Sequence, residues 1–129
     1  MYKVEVENIG GFKFKARAGS EEFTIDANGG GCTPPDALLA SLGSCIGVYI
    51  RKYAEDGKVD IGGFTVKVEA EFSAQGPASF RVINVSIDLK GADIGERRKA
   101  ALISFIKNCP VHNTLKGTPD IRIEIDPVG

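Results

Sequence analysis

Cys32, Cys45 and Cys109 are the side chains among 129 residues that can act as thiol nucleophiles or soft metal ligands. Three is too few and too odd a number for a secreted disulfide framework, and cytosolic thiols are more often catalytic or metal-binding than structural. A buried free cysteine can equally serve as a small apolar side chain, so each must be judged by its surroundings. Cys109 stands directly before Pro110, a residue suited to the first position of a helix. The positive end of a helix beginning there favours thiolate. Cys45 falls mid-helix, where the backbone N–H groups are consumed by intrahelical bonding, so its activation has to come from a side chain supplied elsewhere. Cys32 has no adjacent activating charge and reads as a spectator.

His112, the sole histidine, completes a C-P-x-H run with Cys109. A structural zinc site normally shows two local ligand pairs and only one is present, so no metal is expected, and His112 is read as bonding a neighbouring carbonyl. Gly29-Gly30-Gly31 lacks the Lys and Ser/Thr of a phosphate loop, which argues against nucleotide binding and leaves no cofactor expected. The 16 basic and 17 acidic residues give a net charge of -1, and no helix-turn-helix, RNP or interleaved basic and aromatic pattern occurs. Neither nucleic acid nor an anionic membrane is an expected partner.

The elements that must position these residues follow from periodicity. With 43% hydrophobic and 26% charged residues, the chain fits a single domain over residues 1–129. Tyr2–Glu7 and Phe12–Arg17 alternate apolar with charged side chains around Gly10-Gly11, a hairpin signal, and Glu22–Ile25 forms a third strand. After the glycine-rich loop, Thr33-Pro34-Pro35-Asp36 carries an N-cap hydroxyl, helix-starting prolines and a first-turn acid. The helix is predicted from about Pro34 to Glu55. Its middle, Leu38–Ile50, is apolar or small on every face and is expected to be buried all round, with a second chain covering part of it. Arg51, Lys52 and Glu55 return it to solvent, and Asp56-Gly57 ends it.

Phe64–Phe72 and Phe80–Leu89 read as an antiparallel pair with one wet face. Ile94–Asn108 is an amphipathic helix, a short helix starts at Pro110, and Asp120–Ile125 is a final alternating strand. The N-terminus lacks the apolar core of a secretory signal, which points to the cytoplasm. The longest uncharged run, Ala37–Ile50, has 14 residues, short of the roughly 20 needed to span a bilayer.

Thr33-Pro34-Pro35-Asp36-Ala37-Leu38-Leu39-Ala40-Ser41-Leu42-Gly43-Ser44-Cys45, with a second cysteine in Asn108-Cys109-Pro110-Val111, resembles the OsmC/Ohr family of osmotically inducible and organic-hydroperoxide-resistance proteins. The element order matches along the whole chain. The resemblance implies an α+β fold of the OsmC type, with antiparallel sheets packed around a long central Cys-bearing helix, in an intertwined homodimer. It also implies a thiol peroxidase in which Cys45 is peroxidatic and Cys109 resolving, so that sulfenic acid and then a disulfide form. A small or protein-bound dithiol would return the electrons. This assignment inverts what the helix-dipole reasoning alone would choose.

In the family's peroxidases the helix cysteine is activated by an Arg from the N-terminal strands, held by a Glu near the helix start. Arg17 is the only arginine before the helix and is named for that role, while Pro35 occupies the Glu position. Asp36 fits another branch of the family, with Thr-Pro-x-acid. It precedes Cys45 by nine residues, about 13 Å along a helix, so any coupling between them passes through another group. Leu42, Val48 and Tyr49 are expected to form an apolar wall that favours organic hydroperoxides over hydrogen peroxide. The alternative is an OsmC-fold dimer without peroxidase activity, serving as a small-ligand-binding or thiol-redox protein.

Overall fold

The computed structural model describes residues 1–125. Its elements are β1 (Glu5–Asn8), β2 (Lys13–Ala18), β3 (Glu21–Asp26), α1 (Pro34–Asp56), β4 (Thr65–Ser73), β5 (Ser79–Asp88), α2 (Gly95–Ile106) and α3 (Pro110–Lys116). The result is α+β, with each strand and helix expected before residue 117 present within a few residues of its anticipated bounds. Two compact units divide the chain, one from Met1–Ser44 with Val66–Ile87, the other from Cys45–Thr65 with Asp88 onward.

In the first unit β1, β2 and β3 form an antiparallel sheet in sequence order. Glu5 faces Arg17 and Asn8 faces Phe14 across the first pair. The register is set by the turn, where Gly10 (φ 122°) and Gly11 (φ 53°) take conformations that L side chains resist. Asn8 Nδ2 donates to the Gly11 carbonyl at 2.9 Å and fastens it. β4 and β5 hydrogen-bond as a second, two-stranded sheet, and their short connection makes them antiparallel. Along β4 the exposed Thr65, Lys67, Glu69 and Glu71 alternate with half-buried Val66, Val68 and Ala70, the expected wet face, whereas β5 does not repeat it, since its Val82 and Val85 are exposed. Phe72 and Phe80 meet edge to face at 5.8 Å across the pair.

α1 begins with a reciprocal cap. The Thr33 hydroxyl donates to Asp36 Oδ2 at 2.8 Å, the Thr33 N–H donates to the same carboxylate, and the Asp36 N–H donates back to the hydroxyl, each at 3.3 Å. Two helix-end donors are thereby satisfied. Leu42, Ile46, Ile50 and Ala54, spaced four apart, are all buried. The expectation of burial on every face is not met in the single chain: Leu38 is 39% and Val48 51% exposed. A four-residue repeat marks one face only, so the remaining faces must be covered by something else or stay wet. Gly43 lies on the covered face, where an added Cβ would stand 3.2 Å from Val68. Its missing side chain allows β4 to approach the helix.

The helix end also differs from expectation. Lys52 and Glu55 are exposed as expected, but Arg51 is half-buried: it donates to the carbonyls of Ile61 (2.9 Å) and Gly62 (2.8 Å), and its guanidinium lies 5.2 Å from the Phe64 ring centre. Those bonds pin the segment leading to β4 against the helix. Gly57 does not adopt the left-handed conformation; Lys58 does, at φ 51°. The Val59 N–H donates to the Ala54 carbonyl (2.8 Å) and the Lys58 N–H to that of Glu55 (3.3 Å), a Schellman arrangement one residue later than glycine placement alone indicates. The buried contact partners Ala54 and Val59 determine the register of the turn.

Asp120–Ile125 is not a strand. The segment makes no sheet pairing, and Ile121, Ile123 and Ile125 are 75%, 90% and 91% exposed. Alternation supplies the side-chain pattern of a strand, but a strand also needs a neighbour to accept its backbone hydrogen bonds.

Because Lys58 holds a left-handed backbone that glycine adopts without steric cost, Lys58→Gly is expected to raise stability by up to about 1 kcal/mol. Urea unfolding monitored by far-UV circular dichroism measures it. A loss of stability would show that the Lys58 side chain, and not the turn, matters here.

Candidate active site

The second unit brings Cys45 and Cys109 together as free thiols. Cys45 is half-buried on α1, one residue before the buried Ile46. Cys109 is completely buried at the N-cap of α3, where Pro110 starts the helix. Its Sγ accepts the His112 backbone N–H at 3.4 Å, the bond a serine or aspartate oxygen makes at other helix starts. The helix-start reading of Cys109 is therefore met in its geometry. The His112 ring places Nδ1 3.2 Å from the Asn113 side-chain oxygen. Among the described residues no group of three or more His, Cys, Asp or Glu side chains gathers where a metal could be held.

Opposing effects act on Cys45. Burial pushes its thiol above the ordinary value and the Cys109 thiol adds to the rise, whereas the Val111 backbone N–H and the Lys52 ammonium act in the other direction. Burial prevails because an anion leaving water loses more than one amide and one solvated cation restore. Val111 enters because α3 starts at Pro110, directly after Cys109, and presents its first-turn N–H groups, which no helical carbonyl accepts. Neither Val111 nor Lys52 was a site residue expected from sequence. Lys52 was legible in principle, since it lies seven positions, close to two turns, beyond Cys45 on the same helix.

Tyr49, one turn beyond Cys45, is half-buried and packs on Phe105 of α2 with ring centres 5.6 Å apart. Tyr53 packs on the same Phe105 at 5.8 Å. Val48 faces outward and Leu42 lies inside the buried stripe, so the expected apolar residues divide between α1's faces. Phe105, unremarked in the sequence, is the common partner of both tyrosines.

Arg17 and Asp36 belong to the first unit. Arg17 sits in the middle of three strands, with Nη2 2.9 Å from Glu7 on β1 and Nε 3.3 Å from Glu22 on β3. The Glu7 bond, then that of Glu22, hold the guanidinium charged. Asp36 is occupied by the Thr33 cap. Cys32 is exposed, its thiol pointing to the Thr33 carbonyl at 3.6 Å.

With this geometry in view, comparison with known proteins is specific. The family model for OsmC-like protein matches residues 27–124, and the chain belongs to that family. No curated protein matches the chain in sequence. Among solved structures, an OsmC-like protein from Mycoplasma pneumoniae is 23% identical, with 92% of this chain and 89% of that one covered at a TM-score of 0.79. An organic hydroperoxide resistance protein OsmC from Legionella pneumophila is 17% identical over 91% of this chain and 90% of its own, at 0.65. An OsmC-like hydroperoxide resistance protein from Jannaschia sp. CCS1 is 21% identical over 94% and 89%, at 0.63. At these identities the likeness speaks for the fold. Among the described residues no helix is long and apolar enough to cross a membrane.

The raised Cys45 thiol has a consequence for stability. The folded chain holds this proton more firmly than the unfolded chain, so the contribution is complete below the unfolded value, near 9.0, and is lost as pH rises through the higher folded value. Unfolding free energies of wild type and Cys45→Ser, measured from about pH 8 to 11, should diverge progressively at the alkaline end, with wild type losing more. Parallel curves would show that Cys45 is not held protonated.

Proposed function

We propose that the protein is a thiol peroxidase for organic hydroperoxides, with Cys45 as the attacking thiol and Cys109 as the resolving one. The observation that carries this reading is the pair of free thiols, one half-exposed and the other buried beside it at a helix N-cap. The Cys45 thiolate attacks the outer oxygen of ROOH, the O–O bond breaks, and the alkoxide takes a proton to leave as ROH. Cys45 is then a sulfenic acid. The Cys109 sulfur displaces its oxygen as water and forms the disulfide, and a dithiol reduces the bridge to two thiols while becoming a disulfide itself. Val48 and Tyr49 provide apolar surface for an alkyl group, and Leu42 backs the helix that presents them. Arg17 enters this reading as a second cation for the thiolate, with Glu7 and Glu22 holding it. Asp36 contributes by fixing the start of α1.

A homodimer is part of the proposal. Tyr2, Val4, Val6, Val48, Ile121, Ile123 and Ile125 are exposed apolar side chains, more than a soluble surface carries without a partner. Asp120–Ile125 in particular has a strand's alternation and no sheet pairing, and a second copy of the chain would provide an edge for it. Light scattering on the eluting protein should give twice the chain mass of 13.7 kDa. Ile123→Glu with Ile125→Glu should shift the population toward monomer, and an unchanged dimer would exclude that segment from the interface.

The second reading, an OsmC-fold protein that binds small ligands or exchanges thiols without turning over hydroperoxide, draws on the upward displacement of the Cys45 thiol. A protonated thiol is a poor nucleophile. Intact-mass analysis with peptide mapping decides between them. Reduced protein treated with slightly less than one equivalent of cumene hydroperoxide should acquire a Cys45 to Cys109 disulfide, Cys109→Ser should stop at Cys45 sulfenic acid, and Cys45→Ser should leave the hydroperoxide unconsumed. If wild type and Cys45→Ser consume it equally slowly, the peroxidase reading is wrong.

A further inference from the structure

Three exposed or half-exposed residues on one stripe of α1 carry an inference about how Cys45 is charged. Cys45, Tyr49 and Lys52 stand at positions i, i+4 and i+7, which a period of 3.6 residues keeps within about 60° of one another around the helix. Side chains on a helix lean toward its N-terminus, so Lys52 extends back over the turn that carries Tyr49, in the direction of Cys45. The structure records that posture: Lys52 Nζ lies 5.0 Å from the centre of the Tyr49 ring. Tyr49 cannot easily move aside, because its other contact is Phe105 of α2 at 5.6 Å.

Among the described residues no carboxylate lies within ion-pair distance of this ammonium. Among the described residues, the lysines that hold a carboxylate are Lys3, Lys15, Lys67, Lys90 and Lys99; Lys52 is not one of them. Arg51, the adjacent cation, spends its donors on the Ile61 and Gly62 carbonyls. Among the described residues, those that act on the Cys45 thiol are Cys109 and the Val111 N–H from the α3 side, and Lys52 from its own helix.

We propose that Lys52 is the positioning cation that favours the Cys45 thiolate, its ammonium steered along α1 by the face of Tyr49. The proposal rests on Cys45 being the reactive thiol, as argued above, but not on the identity of its oxidant. It reassigns part of the work given to Arg17 to a residue of the same helix. The tyrosine matters because an unrestrained lysine side chain samples many rotamers, whereas a cation attracted to an aromatic face is confined. A thiolate at the end of that path gains from a charge that is nearby for most of the time.

The test is the pH profile of Cys45 alkylation by iodoacetamide, read by peptide mapping at low conversion in the full-length Cys32→Ser protein. Lys52→Met is expected to slow Cys45 labelling about three- to five-fold on the acid limb of the profile, moving the limb upward. Lys52→Arg should keep the wild-type profile, and Tyr49→Leu should give an intermediate one. Raising sodium chloride to about 1 M should shrink the difference between wild type and Lys52→Met, because the interaction is charge with charge. Unchanged circular dichroism and urea midpoints for the Lys52 variants establish that folding is not the cause. Profiles that overlay for wild type and Lys52→Met overturn the proposal, as does an equal slowing in Lys52→Arg. A shifted profile combined with no hydroperoxide consumption by wild type upholds the role of Lys52 while removing the peroxidase reading, so the two failures are distinguishable.

Discussion

Burial of Leu42, Ile46, Ile50 and Ala54 along one face of α1 is the contact on which the remaining structure depends. The helix is poorly supplied with intrinsic propensity: Gly43 and Gly47 each weaken it by about 1 kcal/mol relative to alanine, and Ile46, Val48 and Ile50 are β-branched. Each fully buried leucine or isoleucine of the stripe returns about 1.5–3 kcal/mol, enough to outweigh those losses. The glycines are useful for the same reason that they are weak. Without side chains, Gly43 admits Val68 and Gly47 admits Phe64, so the stripe can lie close to what covers it.

From this stripe the position of the thiol follows. Cys45 is adjacent to Ile46 in sequence but about 100° away around the helix, which leaves it half-buried while Ile46 is enclosed. Partial burial sets two demands against each other. Solvent access is required for a substrate to arrive, whereas desolvation by the same surroundings disfavours the anion that would react. The upward displacement of the Cys45 thiol shows burial ahead within one chain, with the Val111 N–H and the Lys52 ammonium as partial offsets. Cys109 resolves its own polarity differently, by accepting the His112 N–H as an N-cap, so a completely buried thiol serves α3 as well as facing Cys45.

Arg17 illustrates how one charge can be tied down by a sheet. Its neighbours are Glu7 and Glu22, placed beside it on both sides by the antiparallel register that the Gly10-Gly11 turn sets. Its ion pairs are exposed, so their geometry organises side chains more than it stabilises the fold. Asp36 is similarly committed, since its Oδ2 accepts both Thr33 donors in starting α1.

Much of this was legible from local patterns. Thr33-Pro34-Pro35-Asp36 announces α1, alternation announces β1 to β5, and Cys109-Pro110 announces α3, because caps and periodicity are decided by neighbours within a few residues. Lys58 escaped because the left-handed position at a helix end follows the buried partners Ala54 and Val59, and a glycine one residue earlier misdirects the eye. Asp120–Ile125 escaped because a strand is defined by its partner, which no alternating pattern contains. By itself, then, the sequence determined the α+β class, the element order and the two motif cysteines. Only the tertiary structure decided that Cys45 and Cys109 meet, that Val111 and Phe105 attend the site, and that Arg51 binds carbonyls while Lys52 lies over the Tyr49 ring. Desolvation, and the contacts that offset it, arise between residues distant in the chain, and no local spacing encodes them.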